Sequence, residues 1–339
     1  MIKRSLAAFG LGVVSIAALA APAQAQDKAR LNWVTFHSQA MEGNLEGNSA
    51  ERGALVVTPP GYDEHPDKHY PVVYFLHGFF ATPQMYQDMM HFEEAVDGAA
   101  AAGNEVILVM PDGFSKYRGG FYSNSVTTGN YEGFVGYDLV EWVDANYRTI
   151  AKREARGLSG HSMGGYGTWR IAMKYPGTFS SIYAMSACCL TPQPPNAEAA
   201  KRVEAMTPEE MTNAQFGELA PISTYSVWSP DPTNPPNYWN TGLKEDGTID
   251  PLVEGRFAAN APTVMLSQYV PALKGLEAIA IDIGDKDFLM QGNLAFKTEL
   301  DRFGIAYDWE VYEGDHGNRI KDRIRSDVLP FFGTHLDKE

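Results

Sequence analysis

Gly160-His161-Ser162-Met163-Gly164-Gly165 decides how this chain is read. A short strand, Ala155–Leu158, precedes it, and Tyr166–Lys174 continues as a helix that breaks before Pro176. A serine between strand and helix in Gly-x-Ser-x-Gly sits in a tight, strained turn whose neighbours must lack bulk. Gly160 and Gly164 provide that space, and Gly165 lets the helix approach the strand. The helix amino terminus behind Ser162 offers a positive end where an oxyanion would develop. Ser162 is therefore the candidate nucleophile, with the Met163 N–H as one oxyanion donor.

Outward from this turn, strands and helices alternate. Leu31–His37 and Ala54–Thr58 read as strands, and Pro59-Pro60-Gly61 ends the second. Tyr70–His77 and Glu105–Met110 are unbroken apolar runs, as a sheet buried on both faces requires. Met85–Ala102 and Gly136–Tyr147 have helical spacing. Ser180–Met185, Glu277–Gly284 and Tyr307–Tyr312 complete the strands, with helices near Phe288–Phe303 and over 318–332. This order predicts a mostly parallel central sheet with helices on both faces, in one domain over 26–339. Residues 190–275 break the rhythm, for they hold 12 of the 21 prolines and show no clear strand. Their aromatic content predicts an insertion, before the last two strands, packed beside the sheet's carboxyl edge; a flexible linker is the alternative.

A serine hydroxyl needs a base to take its proton, and the base needs an acid to fix its tautomer. His316, after the last strand in Glu313-Gly314-Asp315-His316-Gly317, is the candidate base; His335 lies in the tail beyond the final helix. Gly284-Asp285-Lys286-Asp287 offers two acids. Asp287 is favoured on loop reach, Asp285 suits the turn itself, and Asp282 lies inside the strand. The second oxyanion donor is the N–H of Phe79, after His77-Gly78. His77 and His161 read as structural histidines bonded to local backbone. Aromatic residues of the 114–131 loop and of the insertion reach the same edge. Tyr122, Tyr131, Trp228 and Trp239 are candidate substrate-binding residues; packing of the insertion on the body is the equal alternative. No side-chain cluster has metal spacing and no glycine-rich loop suits a phosphate, so neither metal nor cofactor is expected.

Composition narrows the function classes. Of 339 residues, 44% are hydrophobic, enough for a large core and against disorder. A net charge of −15 repels phosphate backbones, so nucleic-acid binding is not expected. Lys3 and Arg4, the apolar run Leu6–Ala21 and Ala23-Gln24-Ala25 together form a signal peptide over 1–25. The run is short for a bilayer span of ~20 residues, which argues against an N-terminal anchor. Export to a periplasm or beyond follows as an expectation. Cys188 and Cys189 are adjacent, and two free, largely buried thiols are favoured over a strained vicinal bond.

Pro71–Gly78, Met110-Pro111-Asp112-Gly113, Tyr122-Ser123-Asn124, Gly160–Gly165, Gly284–Asp287 and Gly314–His316 together resemble the esterase D family of α/β hydrolases. That family includes feruloyl esterases, S-formylglutathione hydrolases and antigen 85 mycolyltransferases. The resemblance covers about residues 50–330 and is weakest over 190–275. It implies the α/β-hydrolase fold and a triad of Ser162, Asp287 and His316, with Phe79 as an oxyanion donor. It also implies a serine esterase acting through an acyl-enzyme on a small-molecule or polysaccharide ester, feruloyl or acetyl. Acyl transfer, S-formylglutathione hydrolysis and non-catalytic carbohydrate binding are the alternatives. Phe79-Phe80 after Gly78 departs from the HGGG pattern of lipases.

Overall fold

The computed structural model describes residues 27–339; the signal-peptide reading of 1–25 lies outside the described residues. Eight strands form the central sheet. They are β1 (Arg30–His37), β2 (Glu51–Thr58), β3 (Val72–Leu76) and β4 (Ile107–Pro111), then β5 (Arg156–His161), β6 (Ser181–Met185), β7 (Ala278–Gly284) and β8 (Asp308–Tyr312). Their spatial order is β1-β2-β4-β3-β5-β6-β7-β8. β2 pairs antiparallel with β1 and β4, and all other pairs are parallel. This is the expected α/β-hydrolase fold. Leu76 pairs with Gly160, His161 with Met185 and Gly284 with Tyr312, so β3 and β5–β8 end along one edge.

Strand side chains alternate between two cores. Val73, Phe75, Leu108 and Met110 pack against Phe92, Val96, Ile324 and Phe332. Val72, Tyr74, Leu76 and Val109 join Leu139, Val143, Trp169 and Phe179 on the other face. Both sets are apolar, which is why these strands read as continuous apolar runs rather than alternating ones.

Two segments differ from expectation. Met85–Ala102 is two helices, α1 (Pro83–Met90) and α2 (Phe92–Ala101), parted at His91 with φ of 51°. The Gln87 backbone carbonyl accepts from the His91 N–H (2.9 Å), and its side-chain Oε1 accepts from the Phe92 N–H (3.1 Å), so one residue ends α1 and starts α2. The 190–275 insertion contains helices Ala197–Glu204, Pro208–Thr212, Phe216–Trp228, Pro251–Ala259 and Pro262–Lys274. Pro208, Pro251 and Pro262 each take the first helical position, where a missing N–H costs nothing, so they start helices rather than break them. Leu219, Ile222, Tyr225 and Leu266 enter the same core as Trp169. The segment is a packed insertion rather than a linker. No helix among the described residues is long and apolar enough to cross a membrane.

Candidate active site

Ser162 follows β5 and opens the helix Met163–Lys174 with φ 59° and ψ −113°. A non-glycine residue held there costs of order 1–3 kcal/mol, which the surroundings must offset. The Ser162 N–H donates to Met185 O (3.0 Å), and its carbonyl accepts from Tyr166 N–H (3.0 Å) and Cys188 N–H (3.1 Å). A Cβ at Gly160 would strike the Gly164 carbonyl, and one at Gly164 would overlap the Leu76 carbonyl. The two glycines are therefore steric requirements of the turn.

The loops after β7 and β8 bring two more side chains to Ser162. His316 Nε2 lies 2.9 Å from Ser162 Oγ, and His316 Nδ1 lies 2.9 Å from Asp287 Oδ2. Asp287 Oδ1 accepts from the Leu289 N–H at 2.8 Å. Burial of the Asp287 carboxyl pushes its pKa up. Hydrogen bonds from His316 and the Leu289 N–H, with the charge of His316, outweigh that effect and hold it below the ordinary value. Asp285 does not reach the imidazole; its Oδ1 accepts from the Gly314 N–H at 2.9 Å. Asp282 is buried on Arg323 Nε (2.8 Å) and Tyr183 Oη (3.0 Å). Thus the structure brings together Ser162, His316 and Asp287 of the sequence candidates.

The His77-Gly78-Phe79 turn lies against the serine, since a Cβ on Gly78 would sit 3.6 Å from Ser162 Cβ. The Phe80 N–H is tied to Arg118 O at 3.1 Å, while the Phe79 N–H has no protein acceptor among the described residues. A Cβ on Gly119 would meet both Phe79 Cδ2 and Met163 Sδ, so the 114–131 loop closes over the two oxyanion candidates. His77 is buried as expected, with Nδ1 on Gly78 O (2.9 Å) and Nε2 accepting from the Gly113 N–H (2.9 Å). His161 differs from expectation, because its partners are remote: Tyr86 Oη (2.8 Å) and the His316 carbonyl (2.8 Å).

The Esterase family model matches residues 24–319. The chain belongs to the esterase family. The chain is 36% identical to Esterase Rv1288 of Mycobacterium tuberculosis over 138 residues, which are 40% of the chain and 28% of that relative. It therefore spans well under half the length of that mycobacterial relative. An acetyl esterase of Caldicellulosiruptor saccharolyticus is 26% identical over 246 residues, covering 72% of this chain and 76% of its own. Among solved structures, a ferulic acid esterase superposes with a TM-score of 0.64 at 21% identity, over 92% of this chain and 100% of its own. That likeness concerns the fold.

The four candidate substrate-binding residues, Tyr122, Tyr131, Trp228 and Trp239, are buried. The Tyr122 hydroxyl donates to His77 O (3.0 Å) and that of Tyr131 to Phe114 O (2.7 Å). Trp228 packs edge-on against Phe121 and Phe257, and Trp239 stacks on Tyr225 at 5.8 Å. Their contacts join the insertion and the 114–131 loop to the body, which is the packing alternative. Other rings are open beside the site. Phe288 is 74% exposed with its ring centroid 4.7 Å from that of His316. Phe216 is 57% exposed and packs edge-on against Phe79 and Phe80. The position of Phe288 directly after Asp287 was a usable sequence signal; Phe216 carried none. Cys188 and Cys189 are free, partly exposed thiols with their sulfurs 2.8 Å apart.

Proposed function

We propose that this esterase is a serine carboxylic-ester hydrolase working through an acyl-enzyme. Ser162 Oγ attacks the ester carbonyl as its proton passes to His316 Nε2. Asp287 fixes His316 as the Nδ1–H tautomer and stabilises the imidazolium. The N–H groups of Phe79 and Met163 receive the oxyanion. The imidazolium then protonates the leaving alcohol, the acyl group stays on Ser162, and water repeats the sequence with His316 as base to free the acid. The observation that carries this reading is the pair of 2.9 Å contacts through His316.

The substrates we propose are feruloyl or acetyl esters of polysaccharides, acted on after export. The support is the open rings of Phe216 and Phe288 beside the site, the names of the acetyl esterase and ferulic acid esterase relatives, and the basic-then-apolar start of the chain. Rapid mixing with p-nitrophenyl acetate tests the chemistry. A burst of p-nitrophenol equal to the enzyme, lost in Ser162→Ala, is expected; steady turnover by folded Ser162→Ala contradicts it. A panel of feruloyl, acetyl and longer acyl esters tests the substrate class.

A further inference from the structure

The triad chemistry leaves a second buried histidine unused. His161 precedes the nucleophile, and its ring centroid lies 4.7 Å from that of His316. We propose that Tyr86 and His161 are positioning residues, a buried hydrogen-bonded strut that fixes the His316 loop to the Gly78–Phe79 turn. The proposal rests on the serine-hydrolase reading and goes beyond it.

The direction of every bond in the strut is forced. The His316 carbonyl can only accept, so His161 Nε2, 2.8 Å away, carries the hydrogen. In a neutral ring Nδ1 is then bare and accepts the Tyr86 O–H at 2.8 Å. The Tyr86 oxygen in turn accepts the Gly78 N–H at 2.9 Å. One unbroken path therefore runs from the peptide just before the Phe79 N–H to the backbone of the base. It joins α1, the end of β3, the end of β5 and the loop after β8.

Neutrality of His161 is built in. Both side chains of the strut are buried. Burial, and then the neighbouring charge of His316, push the His161 pKa down to about 3. The ring therefore keeps one donor and one acceptor at any working pH. A neutral neighbour also spares the imidazolium of His316 a like charge during the reaction. At the other end, a Cβ on Gly78 would fall 2.6 Å from Tyr86 Oη, so glycine is what lets the hydroxyl reach that peptide.

Steady-state kinetics on four variants, with melting temperatures, test the strut. Tyr86→Phe keeps the ring and removes one hydroxyl; kcat is expected to fall about tenfold while KM stays within about twofold. His161→Leu removes both bonds and is expected to lower kcat about 100-fold. His161→Gln returns a donor toward the His316 carbonyl and is expected to recover most of that loss. Ser162→Ala separates the two claims. If it retains turnover, the serine-hydrolase reading fails. If it is inactive while folded Tyr86→Phe and His161→Leu keep parental kcat, the strut alone is overturned. It is equally overturned if His161→Gln is as slow as His161→Leu at equal melting temperature, since the loss then follows the ring and not the bond.

Discussion

Asp285 and Asp287 stand two residues apart in one turn and hold different parts of the loop that carries His316. Asp287 grips the imidazole itself, with Oδ2 2.9 Å from Nδ1. Asp285 grips the backbone behind it, accepting the Gly314 N–H at 2.9 Å. The peptide groups between them complete the junction: Asp285 N–H donates to Tyr312 O (2.8 Å) and Lys286 N–H to Gly314 O (2.9 Å). Two loops from neighbouring strands are thereby laced together, and His316 is held 2.9 Å from Ser162 Oγ.

This division of labour separates the two acids in experiment. Asp287→Asn should lower kcat by about 10⁴, the penalty for miscasting the imidazole tautomer in a serine triad. Asp285→Asn should cost less than tenfold in kcat and lower stability by about 1 kcal/mol, as for one lost hydrogen bond. Steady-state rates and denaturant titrations measure both. The opposite ranking of rates would assign the acid to Asp285.

Phe288 offers a different kind of test, because its ring is exposed yet lies against His316. In the proposed mechanism the imidazole hands its proton to the leaving alcohol, so a ring beside it would face that part of the substrate. Phe288→Ala should raise KM several-fold for esters of aromatic alcohols and leave ethyl esters of the same acid little changed. Melting temperature should not move, since little apolar surface is lost from the interior. An equal KM change for both ester types would remove Phe288 from alcohol recognition.

Trp228 should behave in the reverse way. Its ring is buried among Phe121, Tyr166 and Phe257. Trp228→Ala should cost about 3–5 kcal/mol of stability, the usual range for emptying a buried tryptophan site. The ratio of rates on acetyl and feruloyl esters should stay constant. A shift in that ratio without loss of stability would return Trp228 to the substrate site.

Glu46 gives the protein a pH-dependent weakness away from the catalytic chemistry. Its Oε2 accepts from Asn48 Nδ2 (2.7 Å), and its Oε1 is buried without a hydrogen-bond partner among the described residues. Burial raises its pKa to about 7, against the smaller opposing effects of Asn48, Lys116 and Ser226. A carboxyl raised in the folded state favours folding most when protonated. Its contribution is complete below the unfolded value near 4.5 and is lost as pH rises through about 7. Glu46→Gln should therefore melt higher than the parent at pH 8.5, with the gap narrowing toward pH 5. A gap that is constant with pH would mean that Glu46 is not the titrating group.

The parts of this architecture that were legible in sequence are those where local sterics decide. Gly160 and Gly164 are dictated by carbonyls that a Cβ would strike, so the turn around Ser162 could be read from five residues. Asp287 over Asp285 followed from the reach of a short loop. What was illegible depends on side-chain partners, near or far, that spacing does not reveal. The break at His91 comes from Gln87 bonding the Phe92 N–H, a local side-chain choice that helical spacing does not reveal. In the insertion, prolines signal either a helix start or a break, and only packing against the body distinguishes them. Tyr122 and Trp228 have the same composition signal whether they face substrate or core; their buried partners decide. His161 and Tyr86 meet across 75 residues of sequence, so their contact had no local trace.

The central claim is that Ser162 is the nucleophile, and covalent labelling tests it most directly. The protein is incubated with an alkyl fluorophosphonate, and the adduct is located by peptide mass mapping. One phosphonyl group per chain is predicted, carried on the peptide at Ser162, absent in Ser162→Ala and formed at least about 10³-fold more slowly in an inactive His316→Ala variant. An adduct on another residue, or none in a folded protein that still hydrolyses esters, would contradict the account.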